Sequence, residues 1–158
     1  MKILVAEDDE NSRHLLEVVL TSAGYEVVSF DNGLKALTYL HSKPIDLIIS
    51  DILMPEMDGY GLCREVKQSQ YLQKIPFIFY TATYTSAQDE HLAMSLGATK
   101  FLVKPMIMED LLPIISFGSK KDGDSEKKHE EFVLRMVERG YTERQVRRLV
   151  EWYMRVKQ

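Results

Sequence analysis

The chain has 158 residues, 45% of them hydrophobic, which gives room for one ordinary domain with a real core and a short appendage. A membrane helix and a secreted precursor are disfavoured, because no apolar run approaches roughly 20 residues and Met1-Lys2 leads directly into Ile3-Leu4-Val5, so we expect a cytoplasmic protein. Residues 1–118 carry 16 acidic and 9 basic side chains, whereas residues 119–158 carry 8 and 11, which argues against nucleic-acid binding by the main part and leaves the tail as a candidate.

The first third of the chain alternates between strand-like and helix-like patterns. Ile3–Ala6 is a short apolar run that ends at the acidic turn Glu7–Glu10, and apolar residues at helical spacing follow until Gly24. Tyr25–Phe30 predicts a second strand, and a second amphipathic helix follows the turn Asp31-Asn32-Gly33. The order strand, turn, helix therefore occurs twice.

The third strand is predicted at Ile45–Ser50, immediately before Asp51. A continuous aliphatic run bounded by turn formers is typical of a strand buried on both faces of a parallel sheet. Pro55 and Asp58-Gly59 mark a turn after it. Because chemistry in open α/β sheets gathers at the carboxyl ends of the strands, Asp51 is a candidate functional residue.

The same alternation continues to about residue 117. The remaining predicted elements are a helix around Leu62–Val66, a strand at Ile75–Tyr80 that ends at Thr81, a helix around Leu92–Leu96 closed by Gly97, a strand at Lys100–Val103 that runs into Lys104-Pro105, and a helix from Ile107. Five alternations predict an α/β fold with a doubly wound five-stranded parallel sheet and helices on both faces.

The C-terminal part has a different character. We assign residues 1–117 to the α/β domain, 118–125 to a polar linker and 126–158 to a helical hairpin with Gly140-Tyr141 at its turn. Apolar faces on both helices favour a homodimer through the tail, or docking of the tail on the main domain. The alternatives are DNA binding by its numerous arginines and a connection to another signalling module.

Residues that are distant in the sequence should meet at one edge of this sheet. Glu7-Asp8, Asp51, Thr81 and Lys104 each follow or end a predicted strand. Carboxylates with a few waters are the ligands that Mg²⁺ prefers. Asp51 would be the nucleophile that forms an acyl phosphate, with Lys104 and the Thr81 hydroxyl neutralising the phosphoryl oxygens.

Each of these residues alone has a simpler explanation. Acidic residues at 7–10 are favoured at a helix N-terminus, Asp51 could be a turn residue, and a lysine before a proline is usually solvated. The joint pattern at matching strand ends favours a shared site instead.

The residues of this joint pattern resemble the receiver domain of bacterial two-component response regulators. The resemblance covers roughly residues 1–117 and is carried by Glu7-Asp8, Asp51 with Met54-Pro55 and Asp58-Gly59, Thr81-Ala82, and Lys104-Pro105. It implies a flavodoxin-like sheet in the strand order 2-1-3-4-5. It also implies that Asp51 accepts a phosphoryl group from a phosphohistidine on a sensor histidine kinase or a phosphotransfer protein.

The resemblance also implies a cofactor and a switch. Mg²⁺ would bind Glu7 or Asp8, Asp51 and the backbone carbonyl of Leu53. Thr81 would close on the phosphoryl group, and Phe101 would turn inward to fill the vacated space. Two departures are mild: Glu7 replaces the commoner first Asp, and Phe101 lacks the hydroxyl of the frequent Tyr, so any switch there works by packing alone.

Two other functions are disfavoured by single features of the sequence. An Mg-dependent aspartyl-phosphate hydrolase similar to the haloacid dehalogenases needs a second acid two residues after the nucleophile, where this chain has Leu53. A flavin site needs Ser, Thr or Gly in the first turn, and this turn is acidic. We therefore predict a phosphoacceptor regulator that catalyses at most its own phosphorylation and dephosphorylation.

Overall fold

The computed structural model describes residues 1–104 and Glu138. By its internal contacts the chain divides into two units, Met1–Met106 and Ile107–Gln158, and the description that follows is of the first. The predicted fifth helix from Ile107, the linker and the helical hairpin lie outside the described residues.

The first unit alternates strictly between strands and helices. In chain order the elements are β1 (Lys2–Ala6), α1 (Glu10–Ser22), β2 (Glu26–Phe30), α2 (Gly33–Leu40), β3 (Leu47–Ser50), α3 (Gly59–Gln68), β4 (Phe77–Thr81), α4 (Ala87–Ser95) and β5 (Lys100–Val103).

The five strands form one parallel sheet in the order β2-β1-β3-β4-β5. This confirms the predicted fold class and strand order. The burial of the strands follows their position, since every residue of the central strands β3 and β4 is buried, whereas the edge strands β2 and β5 are largely half-buried. Strands covered on both faces need mainly apolar residues, which explains why β3 and β4 are apolar runs that end in a single polar residue, Ser50 and Thr81.

One core cluster of the described residues lies between the sheet and the helices α2, α3 and α4. Its members are apolar residues from the inner strands and from these helices, among them Leu4, Ile48, Leu62, Cys63, Val66, Phe77, Phe79 and Ala93. Cys63 is fully buried, and burial raises the pKa of its thiol to about 11, so the side chain packs as part of the core.

Each described helix begins at a side chain that accepts a backbone N–H of the first turn. The N-cap residues are Asp9, Asn32, Asp58 and Ser86. Gly24 and Gly97 follow α1 and α4 with φ angles of 93° and 101°, where a glycine avoids the strain that a side chain would create. The glycines expected from the sequence to end these two helices therefore do so.

Some element bounds differ from those expected from hydrophobic periodicity. α4 begins at Ala87, well before Leu92, because Ser86 and Asp89 form a reciprocal capping box; Leu92 itself is 42% exposed. α3 begins at Gly59, where the sequence indicated a turn, since Asp58 caps the helix. Within the part of the chain described, no helix is long and apolar enough to cross a membrane.

Candidate functional site

The topology brings the carboxyl ends of four strands to one edge of the sheet. Glu7 follows β1 and Asp51 follows β3, and these strands pair in the register Ala6 with Ser50. Thr81 ends β4, and Lys104 follows β5. Four segments separated widely in the sequence thus supply polar groups to one edge.

Three carboxylates form a cluster there. One oxygen each from Glu7, Asp8 and Asp51 lies within 4.8 Å of the others. Their exposure differs, because Glu7 is buried, Asp51 is half-buried and Asp8 faces solvent. The cluster offers hard oxygen ligands from the ends of β1 and β3, and water can reach it on the side of Asp8. Such a donor set fits a small divalent cation such as Mg²⁺.

The Glu7 side chain is oriented from two directions. Its Oε1 accepts the backbone N–H of Asp9 at 3.1 Å, and its Oε2 accepts a hydrogen bond from Lys104 Nζ at 2.5 Å. Burial raises the pKa of Glu7, and the nearby charge of Asp51 adds to this, while Lys104 opposes it; the resulting pKa is about 7. Burial therefore disfavours the ionised form of Glu7, and a positive charge beside it favours that form.

Lys104 supplies that positive charge and joins two strands. Besides Glu7, its Nζ contacts Asp51 Oδ2 at 3.2 Å, and it lies 5.3 Å from the centroid of the Tyr80 ring. Burial acts to lower the pKa of Lys104, but the hydrogen bonds and charges of Glu7 and Asp51 outweigh it, so the pKa is raised. The ammonium group is therefore held in its charged form between the two carboxylates.

Asp51 is fixed by its own backbone and by the loop that follows. Its N–H donates to the Ala6 carbonyl at 2.9 Å, and its Oδ1 accepts the N–H of Ile52 at 2.6 Å. The loop returns to Asp51 at Gly59, whose N–H donates to the Ile52 carbonyl at 2.7 Å. A Cβ at Gly59 would lie 2.0 Å from the Asp51 carbonyl oxygen, so this approach requires glycine. The sequence indicated a turn at this glycine, and nothing local to it signalled the contact.

The remaining predicted site residues lie at the end of β4, in β5 and in the loop after β3. Thr81 is fully buried, its hydroxyl oxygen accepts the N–H of Thr83 at 3.3 Å, and its carbonyl accepts the N–H of Lys104 at 2.8 Å. Phe101 is half-buried in β5, with its ring centroid 6.4 Å from that of Phe79. Leu53 lies in the loop after Asp51 with its side chain about half exposed.

The acidic turn after β1 divides its residues between two roles. Asp9 caps α1 by accepting the Ser12 N–H at 2.8 Å, and Glu10 lies in the first turn of the helix. Glu7 and Asp8 belong to the carboxylate cluster. The turn therefore combines a helix cap at Asp9 with two members of the carboxylate cluster.

Comparison with known proteins identifies relatives of this fold and site. The family model described as the response regulator receiver domain matches residues 3–116. A second family model, the PrkA serine protein kinase C-terminal domain, matches residues 81–152, which are less than half of the chain. This match overlaps the end of β4, all of α4 and all of β5. The second match therefore does not define the family of this chain.

Relatives and solved structures agree with the receiver match. The probable transcriptional regulator ycf27 of Cyanophora paradoxa is 38% identical over 110 residues, which are 70% of this chain and 44% of that protein. The chemotaxis response regulator CheY4 of Vibrio cholerae is 32% identical with a TM-score of 0.68, over 73% of this chain and 95% of that one.

A third similar protein carries a metal. The receiver domain of the sensor histidine kinase PA1611 from Pseudomonas aeruginosa PAO1 has a magnesium ion coordinated in its active-site cleft; it is 28% identical with a TM-score of 0.67, over 73% of this chain and 93% of that one. The chain spans less than half the length of the curated relatives it matches. By the extent of the family match and by its fold, the chain belongs to the response regulator receiver domain family of two-component signalling.

Proposed function

We propose that Asp51 accepts a phosphoryl group from a phosphohistidine on a sensor histidine kinase or phosphotransfer protein. The observation that carries this proposal is the position of Lys104, which contacts Asp51 and Glu7 beside a cluster of three carboxylates. An Asp51 carboxylate oxygen forms a bond to phosphorus while the phosphorus–nitrogen bond of the donor breaks. The electron pair of that bond stays on the imidazole, which takes up a proton, and Asp51 becomes an acyl phosphate.

The neighbouring side chains have separate roles in this transfer. The Lys104 ammonium, already adjacent to Asp51 Oδ2, neutralises charge on the phosphoryl oxygens. The Thr81 hydroxyl is proposed to donate a hydrogen bond to one of these oxygens after the β4–α4 loop closes. Because Lys104 N–H is bonded to the Thr81 carbonyl, a movement of Thr81 is transmitted directly to the end of β5.

The metal ligands proposed are the carboxylates of Glu7, Asp8 and Asp51 and the backbone carbonyl of Leu53. The clustered oxygen atoms and the exposed side at Asp8 support this assignment. Bound Mg²⁺ supplies positive charge that offsets the repulsion between the carboxylates and the incoming phosphoryl group. Glu7 and Asp8 hold the ion beside Asp51 and do not react with the phosphoryl group themselves.

Metal dependence is the first test. Incubation of the full chain with a small acyl-phosphate donor and Mg²⁺ is expected to add one phosphoryl group, measured by mass spectrometry of the intact protein. Replacing Mg²⁺ with EDTA should abolish the addition, because the carboxylates then repel the anionic donor. Equal phosphorylation with and without metal would contradict the proposed role of the cluster.

Lys104→Gln is expected to slow this phosphorylation roughly 100-fold, since a charged donor aimed at the phosphoryl oxygens is lost. Rates should be measured by mass spectrometry at matched Mg²⁺ concentration. Lys43→Gln is the matched control, because Lys43 is exposed in the loop after α2. A Lys104 variant that reacts at the control rate would sink the proposed role of this lysine.

We propose that phosphorylation is read out through Thr81 and Phe101. The ring of Phe101 adjoins Phe79, and Phe79 is fully buried in the core, so an inward turn of Phe101 would change packing around β4 and β5. This is a local charge change acting on a packed element with two arrangements. Without a hydroxyl, Phe101 acts by packing alone.

Residues 1–117 are proposed to form the receiver domain, 118–125 a linker and 126–158 a helical hairpin. The receiver-family match to residues 3–116 supports the first boundary. We propose a regulator rather than an enzyme acting on a foreign substrate, because the position two residues after Asp51 is Leu53, which cannot act as a general acid. The expected cytoplasmic location stays a prediction.

The tail is proposed to mediate homodimerisation through its apolar helical faces. Light scattering of the full chain should give a dimer mass, and residues 1–118 should give a monomer mass. Equal monomeric masses would contradict the proposal. DNA binding by the tail, the alternative function, would instead appear as a salt-dependent shift of duplex DNA that needs residues 119–158.

A further inference from the structure

All of the polar groups of Glu7 take part in hydrogen bonds, and one of the donors is a side chain with no assigned role. The Glu7 N–H donates to the Phe30 carbonyl at 3.0 Å, and its carboxylate is held by Asp9 and Lys104. The Glu7 carbonyl accepts a hydrogen bond from Nη1 of Arg13 at 2.9 Å. Arg13 thus binds the backbone of a proposed metal ligand, whereas Asp9 and Lys104 bind its carboxylate.

The position of Arg13 is not explained by helix formation. It lies in the first turn of α1, where the helix dipole disfavours a cation. Its guanidinium nevertheless turns back to the acidic turn, where Nη1 lies 2.9 Å from the Glu7 carbonyl oxygen. An arginine suits this place because its planar group offers several donors in a fixed geometry.

We propose that Arg13 is a positioning residue for the metal site. By holding the Glu7 carbonyl, it fixes the peptide that carries the Glu7 carboxylate toward Asp8 and Asp51. The inference rests on the proposed Mg²⁺ site, and Arg13 acts through Glu7 without contacting metal or phosphoryl group. Groups that orient a metal ligand in this way typically contribute roughly 10- to 100-fold to metal affinity.

The mechanism follows from the loop geometry. Glu7 is almost fully buried, and a methionine at position 13 would fill much of the space of Arg13 without a donor, so the Glu7 carbonyl would lose its hydrogen bond. A rotation of this peptide toward another donor would also move the Glu7 side chain relative to the cluster. Lys104 would keep its contact with Asp51. The substitution would therefore weaken metal binding and leave the position of the lysine largely unchanged.

The test is Mg²⁺ titration of the full chain by isothermal titration calorimetry. Arg13→Met is expected to weaken binding roughly 10-fold, and Arg13→Lys should fall between it and the original chain because a lysine keeps a donor but not the planar geometry. Lys35→Met is the matched control: it removes an exposed cation that pairs with Asp31 at 2.9 Å in the first turn of α2, and its affinity should be unchanged.

Thermal unfolding in EDTA separates positioning from stability. A purely structural role for Arg13 would lower the melting temperature and leave the metal affinity of the folded protein unchanged, which would overturn the inference. So would an equal loss of affinity in Lys35→Met, because net charge alone would then explain the effect. If Arg13→Met does not fold, Arg13→Lys decides, and an affinity equal to that of the original chain overturns the proposal.

The same titration distinguishes this inference from the proposed function. If the original chain binds no Mg²⁺, the proposed metal site fails and the role of Arg13 fails with it. If the original chain binds Mg²⁺ and Arg13→Met binds it equally well, only the positioning role is wrong.

Discussion

Asp51→Asn is expected to abolish phosphorylation of the full chain by a small acyl-phosphate donor. The amide oxygen of asparagine is a poor nucleophile, and the Lys104 ammonium loses one of its two anionic partners. The substitution preserves the shape of the side chain, and an amide oxygen can still accept the Ile52 N–H that Asp51 Oδ1 accepts. The fold should therefore be retained, and intact-mass spectrometry should show no added phosphoryl group.

Asp46→Asn is the matched control for this experiment. Asp46 is an exposed aspartate just before the start of the same strand, where its carboxylate accepts the Lys2 N–H at 2.7 Å, and it lies far along β3 from the carboxylate cluster. The control should be phosphorylated as the original chain is. If the Asp51→Asn variant is phosphorylated at the original rate, the acceptor is another residue. Glu7 and Asp8 would then be the first candidates.

Gly59→Ala is expected to lower the free energy of unfolding by about 3 kcal/mol, at the upper end of the cost of overpacking. The added Cβ would lie 2.0 Å from the Asp51 carbonyl oxygen and 2.9 Å from Ile52 Cα. Both neighbours are backbone atoms, so the loop after β3 must move as a whole. Urea denaturation should detect the loss, and phosphorylation of the folded protein should also slow because Asp51 itself is displaced.

Gly61→Ala provides the control two residues further along α3. Its Cβ would lie 3.1 Å from Met57 Cγ, an atom of a flexible side chain that can move aside. Alanine is also favoured over glycine within a helix by about 1 kcal/mol, so the net change should be small. Similar losses in the two variants would show that a side chain at either position is costly, and would contradict the particular importance given to the contact between Gly59 and Asp51.

The sequence was sufficient for the sheet and for the convergence of Glu7, Asp8, Asp51 and Lys104. Central parallel strands must be mainly apolar, so their ends are conspicuous, and polar residues at those ends necessarily share one edge. These predictions depend on periodicity and topology, which a single sequence carries.

The remaining features depend on contacts between distant segments. Neither the approach of Gly59 to the Asp51 carbonyl nor the bond from Arg13 to the Glu7 carbonyl leaves a local pattern. The start of α4 had a local signal, the Ser86 and Asp89 capping box, but the apolar spacing around Leu92 obscured it. Hydrophobic periodicity shows which face of a helix or strand is buried, whereas helix caps and close backbone contacts determine where the backbone turns.

The contact between Lys104 and Glu7 has a consequence for how the chain acquires activity during synthesis. The two residues are 97 positions apart, and Lys104 follows the last strand of the sheet. Closing a loop of that length comes late in folding, after the local helices and neighbouring strands have formed. While β5 is still inside the ribosome, the nascent chain has the proposed acceptor aspartate but lacks the cation beside it, so we expect competence for the proposed phosphorylation only when the sheet is complete.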